Sequence, residues 1–189
     1  MGLFACFSQD LRARGRRVPG PGALLARYLF NPGYRVVVLY RLAEWLRRLP
    51  LPMRIGRLFA LAILTRLSRV PGVEIRTRQP IGEGVVFPHP HDIVIGGGAR
   101  IGRNATIYNG VTFGGKGGDI EDESGDLFAR YPRIGDDVIV YPGAKIIGPV
   151  EIGSRCVIGA NSVVLQSFDE DCVIAGVPAR LVRRISRES

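Results

Sequence analysis

The sequence predicts a mainly β protein, in which a parallel β-helix of six-residue repeats follows a small N-terminal α-helical region. Three observations predict this fold. Apolar residues recur every six positions after residue 73, glycine often follows them directly, and the first 72 residues have a helical period instead. We therefore divide the chain into a helical region (1–72), a β-helix (73–180) with a loop insertion at 114–133, and a C-terminal tail (181–189).

The helical region contains three predicted segments. Residues 22–30 are followed by Asn31-Pro32-Gly33, which favours a break in a helix. Residues 34–49 place their apolar side chains on one helical face, and Pro50 ends that pattern. Residues 53–69 have an apolar centre flanked by arginines, so we expect a third helix there.

The β-helix is predicted from apolar residues in strict register. A two-residue slip separates the first series from the second, and the loop separates the second from the third. The series are Ile75, Ile81 and Phe87; Ile95, Ile101, Ile107 and Phe113; and Ile134, Val140, Ile146, Ile152, Ile158 and Val164. A period of six suits a triangular coil with one inward aliphatic residue on each face. Each corner between faces needs a residue that tolerates positive φ or close packing.

The loop insertion begins with a glycine-rich stretch, which allows a ligand to approach the backbone closely. It lacks the Gly-Lys-Ser/Thr ending of a nucleotide-binding phosphate loop. A loop of this length inside a regular coil indicates either a function or disorder.

Charge and cysteine content exclude several protein classes. Residues 1–70 carry 13 arginines against two acidic residues, whereas residues 71–189 carry 13 basic and 15 acidic residues, so the net charge of +9 arises in the first third. We see no basic and aromatic strip that would bind nucleic acid. Three cysteines without metal spacing argue against a disulfide framework, and we expect Cys156 and Cys172 to fill the core.

No apolar run approaches the length of a membrane span, because the best candidate, Leu58 to Thr65, lies between Arg57 and Arg66. We expect a cytoplasmic protein. The Arg-rich helices could also lie on the inner surface of a membrane, which leaves a non-enzymatic membrane scaffold as one alternative.

Both histidines of the chain lie in the segment Pro88-His89-Pro90-His91-Asp92. A histidine is the natural base for taking a hydroxyl proton near neutral pH. The alternative for His89 is a turn residue that the flanking prolines hold in place.

Several motifs resemble the serine acetyltransferase family and its shorter relatives in polysaccharide gene clusters. They are Asn31-Pro32-Gly33-Tyr34 with Tyr40-Arg41-Leu42, Val111-Thr112-Phe113-Gly114-Gly115, Gly143-Ala144-Lys145-Ile146-Ile147-Gly148, Ile158-Gly159-Ala160-Asn161-Ser162-Val163-Val164, and Ala175-Gly176-Val177-Pro178-Ala179-Arg180. The resemblance implies a left-handed coil and a homotrimer with active sites between subunits. It also implies acetyl-CoA as co-substrate and an O-acetyltransferase activity.

The resemblance assigns roles to individual residues. His89 falls at the position of the catalytic base, and Glu74 at that of its acidic partner, which is more usually Asp. The acceptor would contact His91, Asp92, Arg130 and Tyr131. Acetyl-CoA would lie along Gly114, Gly115, Gly143, Ala144, Ala160, Gly176, Pro178 and Arg180, with backbone N–H groups of the glycine-rich turn stabilising the oxyanion. Its phosphates could meet Lys145, Arg180, Arg183 and Arg184.

In the acetyl-CoA groove of the family, Tyr141-Pro142 stands where a small Gly-Ala pair is usual. The chain also departs from the family at the acceptor side, where Pro88 replaces an Asp and Tyr131 replaces a second His. We therefore expect a sugar hydroxyl, in a polysaccharide or lipid-linked oligosaccharide, as acceptor, with serine as the alternative. The γ-type carbonic anhydrases share the coil but need three histidine ligands, so we predict no metal site.

Overall fold

The computed structural model describes residues 10, 20–48, 55–56, 58–59, 62, 72–76, 81–117 and 127–186. Helix α1 spans Pro21–Phe30 and helix α2 spans Pro32–Arg48. The side chain of Asn31, between them, accepts a hydrogen bond from the Tyr34 N–H (2.9 Å), and Pro32 starts α2 because its missing N–H costs nothing in a first turn. The break predicted at 31–33 is thus a single residue.

The third predicted helix lies mostly outside the described residues, although residues 55–56, 58–59 and 62 are helical. None of the helices in the described part of the chain is both long and apolar enough to cross a bilayer.

In the described part of the chain, thirteen short strands form three faces of a prism. Face A contains β1 (Val73–Ile75), β2 (Ile93–Ile95), β5 (Thr112–Gly114), β8 (Lys145–Ile147) and β11 (Val163–Val164). Face B contains β3 (Arg100–Ile101), β6 (Arg133–Ile134) and β9 (Glu151–Ile152). Face C contains β4 (Thr106–Ile107), β7 (Ile139–Val140), β10 (Val157–Ile158), β12 (Cys172–Gly176) and β13 (Ala179–Arg184).

The strands within a face are parallel, apart from the antiparallel pair β12 and β13. Ile95 pairs with Phe113 one coil further on, and Phe113 pairs with Ile146 beyond the loop insertion. The predicted six-residue series is confirmed, because every one of its members is buried, with at most 7% of its surface exposed. These stacked aliphatic residues form the core of the coil.

The three corners of the prism are made by turns with left-handed residues. The CA corner, between faces C and A, contains residues 88–92, 108–110, 141–143, 159–161 and the end of β12. The BC corner, between faces B and C, contains residues 82–85, 102–105, 135–138, 153–156 and 169–171. The AB corner, between faces A and B, contains the described residues 96–99, 115–117, 127–132 and 148–150. The predicted need for positive φ is met at Asp92, Gly110, Gly143 and Asn161 in the CA corner and at Asn104, Asp137, Arg155 and Asp171 in the BC corner.

A buried polar contact fixes the helical region to the first coil. Arg41 donates two hydrogen bonds to the Asp10 carboxylate (2.9 Å each) and one each to the carbonyls of Ile81 and Gly82 (2.7 Å each). The Gly84 N–H also donates to Asp10 (2.8 Å). Since a buried charge is tolerated only when it is paired, this network holds the helices beside the first turn of the BC corner.

Two segments differ from the sequence-based division. The predicted tail, from residue 181, begins inside strand β13, which continues to Arg184 and pairs with β12. In the loop insertion, Leu127–Arg130 forms a 3-10 helix, and the Lys116 N–H donates to the Arg130 carbonyl (3.1 Å), which joins the two ends of the loop. Residues 118–126 lie outside the described residues.

Candidate active site

His89 lies exposed in the first turn of the CA corner. The His91 N–H donates to the His89 carbonyl (2.9 Å), and the Gly110 N–H of the next coil donates to the His91 carbonyl (2.8 Å). The imidazole is 6.4 Å from the Tyr108 ring, centroid to centroid. The turn is thus held by the coil below it, while the imidazole stays accessible to a substrate.

Glu74 lies one coil above, on β1 of face A, with its side chain partly exposed. Its carboxylate forms an ion pair with the Arg76 guanidinium. Among the described residues, His89 and Glu74 share no hydrogen bond, so the structure does not assemble the expected dyad. The role of Glu74 stays a prediction.

His91 and Asp92 lie in the same turn as His89, and both are exposed. Asp92 adopts a φ of 52°, and a Cβ added at Gly72 would come within 2.5 Å of its Oδ1. This turn therefore packs closely on the residue before β1. The turn places His91 and Asp92, both predicted to contact the acceptor, beside His89, the candidate base.

Half of the residues predicted to bind acetyl-CoA share the CA corner with His89. Gly143, Ala160, Gly176 and Pro178 lie in the successive turns below it. Backbone hydrogen bonds of 2.8–2.9 Å join these turns, for example from the Gly143 N–H to the Asn109 carbonyl. The corner thus forms one continuous surface that runs from the candidate base towards the C-terminal coils.

The side chains of two residues predicted to contact acetyl-CoA make their contacts within the chain. Ala144 is fully buried, so its methyl group packs in the core. The Lys145 ammonium donates to the Gly110 carbonyl (2.6 Å) and to the Thr112 hydroxyl (3.1 Å). Lys145 therefore joins two coils, and its contact with a phosphate of CoA stays a prediction.

Arg180 is exposed at the start of β13, and Arg183 is also exposed. Arg184 donates to the Asp169 carboxylate (3.2 Å). The end of the coil therefore presents the exposed cationic side chains of Arg180 and Arg183, and their contact with the phosphates of CoA stays a prediction.

The remaining predicted contacts lie at the AB corner, on the opposite edge of face A. These are Gly114, Gly115, Arg130 and Tyr131. A face A strand of three residues is about 10 Å long, so within one chain these residues do not meet His89. They could complete its site only from a neighbouring copy.

The Tyr131 ring lies over two glycines of the AB corner. A Cβ added at Gly115 would come within 2.9 Å of Tyr131 Cζ, and one added at Gly96 within 2.4 Å of its Cε1. Glycine is needed at both positions because the ring occupies the space of a side chain. Tyr131, which stands where the family has a second His, thus packs against the glycines at the base of the loop insertion.

Sequence analysis missed one feature of the CA corner, the stacking of Tyr108 on Tyr141. Their ring centroids are 5.3 Å apart and the rings are inclined by 11°. Both tyrosines directly follow the buried residue of a face C strand, Ile107 and Val140, which pair with each other. That equivalence was the signal in the sequence that could have revealed the stack.

Both described cysteines, Cys156 and Cys172, are free and buried in the coil, as predicted. Burial raises the pKa of the Cys156 thiol to about 11. Within the described residues, no three His, Cys, Asp or Glu side chains cluster as metal ligands.

Comparison with known proteins identifies the family. Residues 131–166 match the bacterial transferase hexapeptide family, which has six repeats. The serine acetyltransferase of Synechococcus elongatus is 37% identical over 183 residues, covering 96% of this chain and 70% of that protein. The crystal structure of Neisseria gonorrhoeae serine acetyltransferase superimposes with a TM-score of 0.76 at 31% identity, covering 98% of this chain and 66% of that one. The chain belongs to the serine acetyltransferase family.

Membership of the serine acetyltransferase family confirms several predictions. It gives the coil its left hand and makes the chain an acetyl-CoA-dependent acyltransferase. A further serine acetyltransferase, solved in complex with CoA, superimposes with a TM-score of 0.73 at 31% identity over 95% of this chain and 69% of that one. The chain spans about two thirds of the length of these relatives.

Proposed function

We propose that this chain transfers the acetyl group of acetyl-CoA to the hydroxyl of L-serine, with His89 as general base. The observation that carries the proposal is the CA corner, where the exposed imidazole of His89 and the stacked rings of Tyr108 and Tyr141 lead to small residues in the coils below. Gly159 and Ala160 offer no side chain larger than a methyl group, so an extended ligand fits along the corner. Arg180 at its far end supplies positive charge for phosphates.

The chemistry requires one base and no covalent enzyme intermediate. Acetyl-CoA supplies the acetyl thioester. One nitrogen of His89 takes the hydroxyl proton as the oxygen bonds to the thioester carbonyl carbon. The carbon–sulfur bond then breaks, and the imidazolium returns its proton to the CoA sulfur. Glu74 could orient the imidazole by accepting from its other N–H, for which its carboxylate would have to leave Arg76.

Serine is favoured over a sugar because each of the relatives reported above is named a serine acetyltransferase. The polysaccharide acceptor that we expected has less support. It remains the second candidate on one observation, the packing of Tyr131 over Gly115, which puts a phenol ring where the family has an imidazole.

We also propose that the site is completed between copies in a homotrimer. The separation of His89 from Arg130 and Tyr131 by the width of face A supports this assembly. Because the chain belongs to a family of enzymes, the alternative of a non-enzymatic membrane scaffold has no support. Contact of the Arg-rich helices with a membrane surface stays a prediction.

The test is release of free CoA from acetyl-CoA with L-serine, with L-alanine, which lacks the hydroxyl, and with a panel of sugars. Release that depends on L-serine and is absent with L-alanine supports the proposal. Release only with a sugar would replace it by the second candidate. If no acceptor gives release and acetyl-CoA does not bind in calorimetry, the proposed activity is wrong.

A further inference from the structure

Tyr141 has one ring face covered and the other open. Tyr108 covers the first face, and the His89 ring lies 6.4 Å from the Tyr108 ring, centroid to centroid. On the opposite side, the next coil places Gly159 in the column, because the Tyr141 N–H donates to the Ile158 carbonyl (2.9 Å). Glycine has no side chain, and no second ring contacts Tyr141 among the described residues. The stack of Tyr108 and Tyr141 therefore ends at an open space beside Tyr141, where Gly159 has no side chain. We call this space the slot.

The slot lies on the path between the candidate base and the small residues of the CA corner. The ladder bonds from the Tyr108 N–H to the Val140 carbonyl (3.0 Å) and from Tyr141 to Ile158 fix the two tyrosines one coil apart. With coils about 4.8 Å apart, Tyr141 lies about 10 Å below the turn of His89. Further down, Ala160 and Gly176 continue the same edge.

From these positions we propose that Tyr141 binds the pantetheine arm of the acyl donor, with a planar amide of the arm packed on its open ring face. This inference rests on the proposed acetyl-CoA-dependent function. The arm is the part of CoA that must pass this point, because it links a thioester at His89 to phosphates near Arg180. Tyr141 is 40% exposed, and its flat ring offers an apolar surface at little entropic cost.

An acceptor is the less suitable occupant of the slot. The reacting hydroxyl has to lie within hydrogen-bond distance of the imidazole. A molecule as small as serine, bound there, does not extend two coils down to the open face of Tyr141. The tyrosine is therefore a specificity-determining residue for the donor, at a position where the family usually has glycine.

The experiment compares three acetyl donors of decreasing length: acetyl-CoA, S-acetylpantetheine and S-acetyl-N-acetylcysteamine. Tyr141→Ala should raise KM about tenfold for the first two, since both carry the arm beyond the first amide. The shortest thioester ends before the slot, so its KM should not change. Tyr141→Phe, the matched control, keeps the ring and should behave as wild type with all three donors.

Other outcomes would overturn the inference. An equal rise for all three donors would place the effect at His89, and a rise in the acceptor KM alone would make Tyr141 an acceptor contact. Tyr141→Leu, which keeps apolar bulk without a flat ring, should resemble Tyr141→Ala, and thermal unfolding of each variant shows that it is folded.

Failure of the proposed function gives a different result, because wild type would then transfer acetyl to no acceptor. Calorimetric titration with CoA still decides the inference in that case. Weaker binding to Tyr141→Ala than to Tyr141→Phe supports it, and equal binding overturns it.

Discussion

The BC corner and the CA corner of the prism use the same kind of turn for different purposes. At the BC corner, side chains pair with each other between coils, as in Arg103 with Asp136 (2.8 Å) and Arg155 with Asp171 (2.6 Å). At the CA corner, the described residues form no ion pair. Aromatic rings and small residues line this corner from the turn of His89 to the end of β12. The same backbone turn can therefore serve either purpose. A corner whose side chains pair with each other stabilises the coil, whereas a corner whose side chains stay unpaired is open to a ligand.

The largest difference between these corners should appear on removal of the imidazole. We expect His89→Ala to lower kcat by about 10² to 10⁴, the usual contribution of a general base. Because His89 is exposed, thermal unfolding should be unchanged. CoA release with the active acceptor measures the effect, and Arg103→Ala in the BC corner serves as control with unaltered kcat. Full activity of His89→Ala would assign the base to another residue.

A smaller effect is expected from the contact that supports the CA corner. Lys145→Met keeps most of the apolar stem but loses the bonds to Gly110 and Thr112, so we expect the free energy of unfolding to fall by about 1–3 kcal/mol. Since Gly110 also holds the His91 carbonyl, kcat should fall as well. Denaturant unfolding and CoA release measure the two effects.

Thr112→Val is the matched control for Lys145→Met, because it removes only one of the two partners of the ammonium. It should destabilise less. Wild-type stability in Lys145→Met would show that the lysine does not join the coils in solution.

The smallest effect is expected at the BC corner. The backbone N–H of Arg103, together with its guanidinium, lowers the pKa of the Asp136 carboxyl from its ordinary value of 3.8. A carboxyl with a lowered pKa stabilises the fold above its unfolded-state pKa, and this contribution is lost as the pH falls through the folded-state value. Asp136→Asn should cost less than about 1 kcal/mol at pH 7, because the ion pair is solvent-exposed.

Thermal unfolding of wild type and Asp136→Asn at pH 7 and pH 3 checks this prediction. The difference in Tm should shrink at pH 3 and in high salt. A difference that grows towards acid pH would contradict the assigned pKa direction.

The coil could be predicted because burial repeats with the same period as the backbone. One inward residue on each face is enough to specify which positions form the core, and the structure buries all of them. The helix ends at 30–32 were also predicted to within two residues, from the proline and the asparagine that caps the next helix.

The site was harder to predict because its contacts join residues that are distant in sequence or compete with local partners. Tyr108 and Tyr141 stack across the loop insertion, and a lysine on a strand gives no sign that its ammonium turns to Gly110. Glu74 illustrates the competition, since Arg76 lies two positions away on the same side of β1 and captures the carboxylate. Periodicity assigns a residue to a face or a corner but does not identify its partner.

Strand β13 has a consequence for self-association. A coil of parallel strands exposes unpaired N–H and carbonyl groups at its last turn, where another chain could add end to end and start a fibre. By folding back antiparallel on β12, residues 179–184 cover that edge of face C with the chain's own backbone. The new outer edge carries Arg180, Arg183 and Arg184, and their mutual repulsion opposes polymerisation through this face.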